Sequence, residues 1–265
     1  MYFLISLVSI ILFFFIRSQL KKRAKRRKAV PVDLVQLLEQ EVPYYQQLNA
    51  NEKNVFKQKA TRFLRRTHIE GVGTAVTNLD RVLIAAGAII PVFGFKDWEY
   101  FNLTNVILYP DTFDEQYQFE GDRRHILGMV GSGSLNGQMI LSQSALRAGF
   151  SSIYDSSNTV IHEFVHLLDK SDGIVDGMPH NLLQDRYSEA WLNLVHQEIA
   201  RINEGLSNIN PYGATNDSEF FAVISEYFFK QPVHLAAHHP ELYAMLKQIF
   251  QQDPASKVTA TWVAG

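Results

Sequence analysis

Asn158-Thr159-Val160-Ile161-His162-Glu163-Phe164-Val165-His166-Leu167-Leu168-Asp169 sets two metal-binding side chains and a carboxylate inside an apolar run. On a helix, His162 and His166 lie four positions apart, about one turn, so both imidazoles leave the same face. Neutral imidazole suits zinc. Glu163, between the two ligands, is placed to take a proton from a water on the metal. Tyr154-Asp155-Ser156-Ser157-Asn158 offers several N-caps, and Asp172-Gly173 offers a stop. Val160, Ile161, Phe164, Val165, Leu167 and Leu168 predict a buried helix, in which two histidines and a glutamate need partners.

A catalytic zinc takes a third protein ligand and keeps one position open. Two glutamates downstream are candidates. Glu189 lies in a helical stretch whose charge pattern suits a solvated face. Glu219 lies in Asp217-Ser218-Glu219-Phe220-Phe221-Ala222-Val223-Ile224-Ser225-Glu226-Tyr227-Phe228-Phe229, capped by Asn216 or Asp217 and almost wholly apolar apart from its two glutamates. A carboxylate on so apolar a helix stays charged only against a cation or a hydrogen-bond network, which makes Glu219 the stronger candidate. Glu226, seven residues on, shares its face and is a candidate support for the site. Asp169 lies on the face of His162 and His166. It either accepts the N–H of a ligating histidine or is an ordinary polar residue near a helix end.

His162-Glu163-Phe164-Val165-His166 with Asp169, followed by Tyr212-Gly213-x-Thr215-Asn216-x-x-Glu219-Phe220-Phe221-Ala222, resembles the Mlc titration factor A family of zinc peptidases. The two motifs alone also resemble the catalytic domain of anthrax lethal factor. The resemblance to the titration factor family runs over most of residues 33–255. It implies a zincin-like fold, zinc held by His162, His166 and Glu219, water activation by Glu163, and a place near the metal for Tyr212, steadying the oxyanion. It also implies a second role, sequestration of a transcriptional repressor, as an alternative to peptidase action. Aminopeptidase and endopeptidase action both stay open, as does the substrate.

Residues 2–16 are apolar except Ser6 and Ser9, and Arg17 is the first charge. Lys21-Lys22-Arg23-Ala24-Lys25-Arg26-Arg27-Lys28 follows. Fifteen helical residues span about 22 Å, short for a bilayer, although residues 18–20 and a snorkelling Arg17 extend the run. A basic cluster on the C-terminal side predicts a single-pass anchor in the inner membrane, with the folded domain in the cytoplasm. The expected division is therefore an anchor over residues 1–20, a basic juxtamembrane tether over 21–32, and the peptidase domain over 33–265. Eight of the 25 Lys and Arg residues lie in the first 28 positions, which hold no acid. The remainder carries 17 bases against 27 acids, a net charge of −10. Such a domain is a poor nucleic-acid binder, and the tether suits anionic headgroups better.

With no cysteine, thiolate metal sites, disulfides and thiol catalysis are excluded. The absence of a Gly-x-Ser-x-Gly elbow weakens a serine hydrolase reading. Periodicity and end signals predict helices over 33–40, 51–66 and 81–90, then strands over 103–109, 125–130 and 137–141. Helices follow at the metal motif, 182–204, 218–230 and 240–250. This order predicts an α+β domain with a small sheet against the metal helix. Residues 137–142 are the expected strand for pairing with an extended peptide, and the polar loop 170–181 the expected border of the cleft.

Overall fold

A computed structural model describes residues 30–263 except 121–123, 132, 134–135, 152–154, 179–181 and 183–184. Three helices open the domain, α1 (Leu34–Glu41), α2 (Pro43–Gln46) and α3 (Ala50–Arg66). Strand β1 (His68–Gly71) leads into α4 (Asn78–Ile89), then β2 (Asn105–Tyr109), β3 (Gly128–Val130) and β4 (Gln138–Ser142). The rest is helical: α5 (Gln143–Ser151), α6 (Thr159–Asp169), α7 (Asp185–Asn203), α8 (Asp217–Lys230), α9 (Pro232–His238), α10 (Pro240–Phe250) and α11 (Pro254–Val263). This is a mixed α+β domain with a small sheet, as the order of elements predicts.

The sheet order is β1-β2-β4-β3. The first three of these strands run parallel, with Val106 opposite Ile69 and Met139, while β3 runs antiparallel to β4 with Met129 opposite Ile140. Two expectations need correction. The sheet begins before α4, so β1, α4 and β2 form a crossover unit, where the first strand was expected at 103–109. Strand β1 carries one buried apolar residue, Ile69, among polar neighbours and glycine, too little for a strand pattern. Residues 137–142 are also not the free edge. Strand β4 is flanked on both sides, and among the described residues β3 alone lies beside the metal helix with no strand on its outer edge.

Asp80 ties the crossover helix to the helix after β4. It is the N3 residue of α4 in a capping box with Thr77, and it is fully buried. Its carboxylate also accepts from Gln143 Nε2 at 2.8 Å and from Arg147 Nε at 2.8 Å, both on α5. Burial opposes its charge, but the bonds from Arg147, Thr77 and Gln143 outweigh that and hold its carboxyl below the usual range. Asp80→Ala is expected to cost about 2 kcal/mol, because it removes the capping carboxylate of α4 and leaves the buried Gln143 amide without that acceptor, while the exposed Arg147 can turn to water. A lowered folded-state pKa contributes stability above the unfolded carboxylate's value. The cost should therefore hold constant above about pH 5 and shrink on acidification below it. Urea denaturation of both proteins across that range checks this.

Aromatic packing fixes α8 in the core. Phe221 stacks on Phe250 with ring centres 5.9 Å apart, and Trp191 meets Phe221 edge-on at 5.7 Å. Residues 1–29, which hold the expected anchor and most of the basic tether, lie outside the described residues. Among the described residues, no helix is long and apolar enough to cross a membrane.

Candidate metal centre

The metal helix is α6, and its N-cap Asn158 accepts from Ile161 N at 3.1 Å. The same asparagine donates Nδ2 to Gly149 O at 3.0 Å, so the start of α6 is pinned to the end of α5. His162, Glu163 and Asp169 are all buried. Helix α8 packs across α6 and brings Glu219 to the two histidines, its backbone N–H capped by Asn216 Oδ1 at 2.9 Å.

Three donor atoms converge. His162 Nε2 lies 3.1 Å from His166 Nε2 and 3.0 Å from Glu219 Oε2, and His166 Nε2 lies 3.5 Å from the same oxygen. A tetrahedral ion with bonds of about 2.0–2.1 Å holds its ligand atoms about 3.3 Å apart, so these spacings fit a zinc ion. The far side of each imidazole fits as well. His162 Nδ1 lies 2.7 Å from Glu226 Oε1, whose other oxygen accepts from the backbone N–H of Asn158. His166 Nδ1 lies 3.1 Å from Ser218 Oγ, which donates to Asp169 Oδ2 at 3.3 Å. With a cation at the two Nε2 atoms, Glu226 directly and Asp169 through Ser218 would keep the proton on Nδ1 of each ring and leave both Nε2 lone pairs to the ion.

Charge in the site is unbalanced toward the carboxylates. Burial lowers His162, but its hydrogen bonds to Glu219 and Glu226 overcome it and raise the ring to about 10. Burial likewise opposes charge on Glu219, yet its bonds to His162 and His166 pull it down to about 2. Such a donor set calls for a cation. Among the described residues, His162, His166 and Glu219 are the one group of three or more metal-ligating side chains that meets.

Glu163 lies beside these ligands, and burial pushes its carboxyl upward. Strand β3 crosses close above it. A Cβ on Gly128 would fall 2.7 Å from Glu163 Cγ and Oε1, so only glycine lets the strand pass over the carboxylate. Tyr212 sits in the short 3-10 turn Pro211–Ala214, 55% exposed, its ring 6.0 Å from that of His162. Burial and then the charges of Glu219 and Glu163 raise its phenol. These groups line a cleft of about 520 Å³, with Met129 and Val130 on one wall and Val175 of the 170–181 loop on another.

The structure brings together His162, Glu163, His166, Tyr212 and Glu219, with Asp169 and Glu226 behind the histidines. Glu189, the other candidate ligand, is exposed on α7 and stands outside the group. Asp169 reaches His166 through Ser218, neither in direct contact with a ligating histidine nor as a mere helix-end residue, the two readings the sequence left open. Ser218 and Gly128 carried no signal in the sequence, since one hydroxyl beside a glutamate and one glycine in a short strand are commonplace. Gly177 also went unmarked. At φ +75° it donates to Asp169 Oδ2 at 2.9 Å and accepts from Trp191 Nε1 at 2.8 Å, and a Cβ there would strike Asp217 O at 2.3 Å.

The model of the glucose-regulated metallo-peptidase M90 family matches residues 16–251. Uncharacterized protein slr2042 of Synechocystis sp. is 29% identical over 241 residues, covering 86% of either chain. Mlc titration factor A of Klebsiella pneumoniae is 29% identical over 232 residues, 82% of this chain and 85% of the relative. The protein of that name from Salmonella arizonae is 29% identical over 230 residues, 82% of this chain and 90% of its own.

Proposed function

The chain belongs to the glucose-regulated metallo-peptidase M90 family, and from that footing we propose that it is a zinc-dependent peptidase working at His162, Glu163, His166, Tyr212 and Glu219. The observation that carries this reading is the convergence of three ligand atoms beside a buried glutamate, in a cleft bounded by a strand edge. Zinc held there would supply a Lewis acid that activates a water and polarises the scissile carbonyl. Glu163 takes the proton of that water and returns it to the leaving amine. The Tyr212 hydroxyl donates to the oxyanion as the carbonyl becomes tetrahedral. Glu226, and Ser218 with Asp169, keep the two imidazoles turned inward throughout.

Strand β3 supplies the peptide rail. Leu127 O accepts from Ser142 N and Gly131 N donates to Gln138 O, so the antiparallel alternation turns the backbone groups of Gly128 and Val130 toward the free edge. An extended peptide pairs there with its scissile bond over Glu163.

The proposed function includes a membrane setting. Residues 1–20 anchor the chain in the inner membrane, residues 21–32 lie at anionic headgroups, and the domain faces the cytoplasm. Sedimentation of the full chain with membranes, resistant to high salt, checks the anchor. Salt-soluble protein would refute it. A second reading, capture of a transcriptional repressor, is favoured by the name Mlc titration factor A that several relatives carry. Peptidase action is tested by exposing a mixed peptide pool to the zinc-loaded chain and sequencing the new termini. New termini that vanish with a chelator support it. An intact pool together with tight repressor binding supports capture alone.

A further inference from the structure

A second cavity of about 330 Å³ opens beside the catalytic cleft and shares Val130 and Lys170 with it. Its other walls include Trp98, Tyr100 and Phe101 from the segment before β2, and Leu167 of the metal helix. Its place relative to Glu163 follows from two repeats. Leu167 is one helical turn beyond Glu163, about 6 Å along α6. Val130 is two residues beyond Gly128, about 6.6 Å along β3 and on the same face. Strand and helix therefore step together from the glutamate to the cavity. A peptide paired with β3 makes the same step, so the side chain opposite Val130 points into the cavity when the residue opposite Gly128 stands at the cleaved bond.

The walls decide what fits. Trp98 packs edge-on against Tyr100 with ring centres 6.4 Å apart, and Phe101 is 82% exposed at the rim. Two acids also line it, Asp97 and Glu99; Glu99 is paired with Arg66 and with Arg62 at 3.6 Å, while Lys170 directs its ammonium to Gly131 O at 3.4 Å. Polar side chains, Asn136 and Gln138 among them, share the walls, but apolar surface from the three aromatic rings, Leu103, Val130 and Leu167 outweighs them, and the size suits one large side chain.

We propose that this cavity is a substrate subsite that takes a large apolar side chain, two residues along the peptide from the residue at the cleaved bond. The inference rests on the peptidase reading above. The test is mass-spectrometric profiling of a diverse peptide pool cut by the zinc-loaded full chain, beside Phe101→Ala and Asn136→Trp. Asn136 also lines the cavity and is exposed, so a bulky side chain there fills the space without burdening the core. Wild-type cut sites should be enriched about tenfold in Phe, Tyr, Trp, Leu or Met at that one position. Asn136→Trp should still cut but without the enrichment, and Phe101→Ala should weaken it. Cleavage with no apolar preference there, or a preference untouched by Asn136→Trp, overturns the subsite alone. No cleavage by zinc-loaded wild type overturns the peptidase reading and the subsite with it.

Discussion

Glu219→Ala protein is expected to bind zinc more weakly than wild type by about a hundredfold or more. Substitutions behind a ligand already cost about 10- to 100-fold, and this one removes a ligand outright. The loss should be specific to the metal. The Glu219 side chain is partly exposed beside the cleft, and its oxygen is met by His162 at 3.0 Å and His166 at 3.5 Å, so little packing goes with it. Equilibrium competition with a chromogenic chelator reads the affinity, and the thermal transition of the chelated proteins controls for folding. Unchanged affinity would remove Glu219 from the centre.

Glu163→Gln is expected to do the opposite, keeping zinc while losing turnover by about a hundredfold to ten-thousandfold. The amide keeps the size of the carboxylate, so the strand above it is undisturbed, but it cannot accept a proton. Burial makes the group a more effective base, since a carboxyl pushed upward holds a proton better near neutrality. The paired readout separates base from ligand: zinc by mass spectrometry of the native protein, turnover on whichever peptide the wild type cleaves best. Full activity in Glu163→Gln would assign the base to another group.

Particular residues explain what could be read from the sequence. His162 and His166 announce themselves by a four-residue spacing inside an apolar helix, and Asn158 by its place just before that helix. Glu219 was legible because a charge stands out on Phe220, Phe221, Ala222, Val223 and Ile224. Glu226 stood out for the same reason, and its partner across the bundle proved to be the outer nitrogen of His162. Tyr212 was legible only through resemblance, since a tyrosine in a turn carries no pattern of its own. Strand order was not legible, because pairing joins segments tens of residues apart and periodicity reports only which face is apolar. Thus residues 137–142 read as a strand but not as an interior one, and β1 escaped because Ile69 alone supplies its apolar face. Ser218, Gly128 and Gly177 matter through what lies opposite them in space, which one-dimensional spacing does not encode.

On the proposed mechanism, one zinc ion held by His162, His166 and Glu219 is what makes this chain a peptidase. The most direct measurement of this starts from chelated, metal-free protein and follows peptide cleavage as zinc is returned in steps. Cleavage that rises in proportion to zinc and levels off at one ion per chain is the predicted result. Cleavage by the metal-free chain, or none with one ion bound, would contradict it.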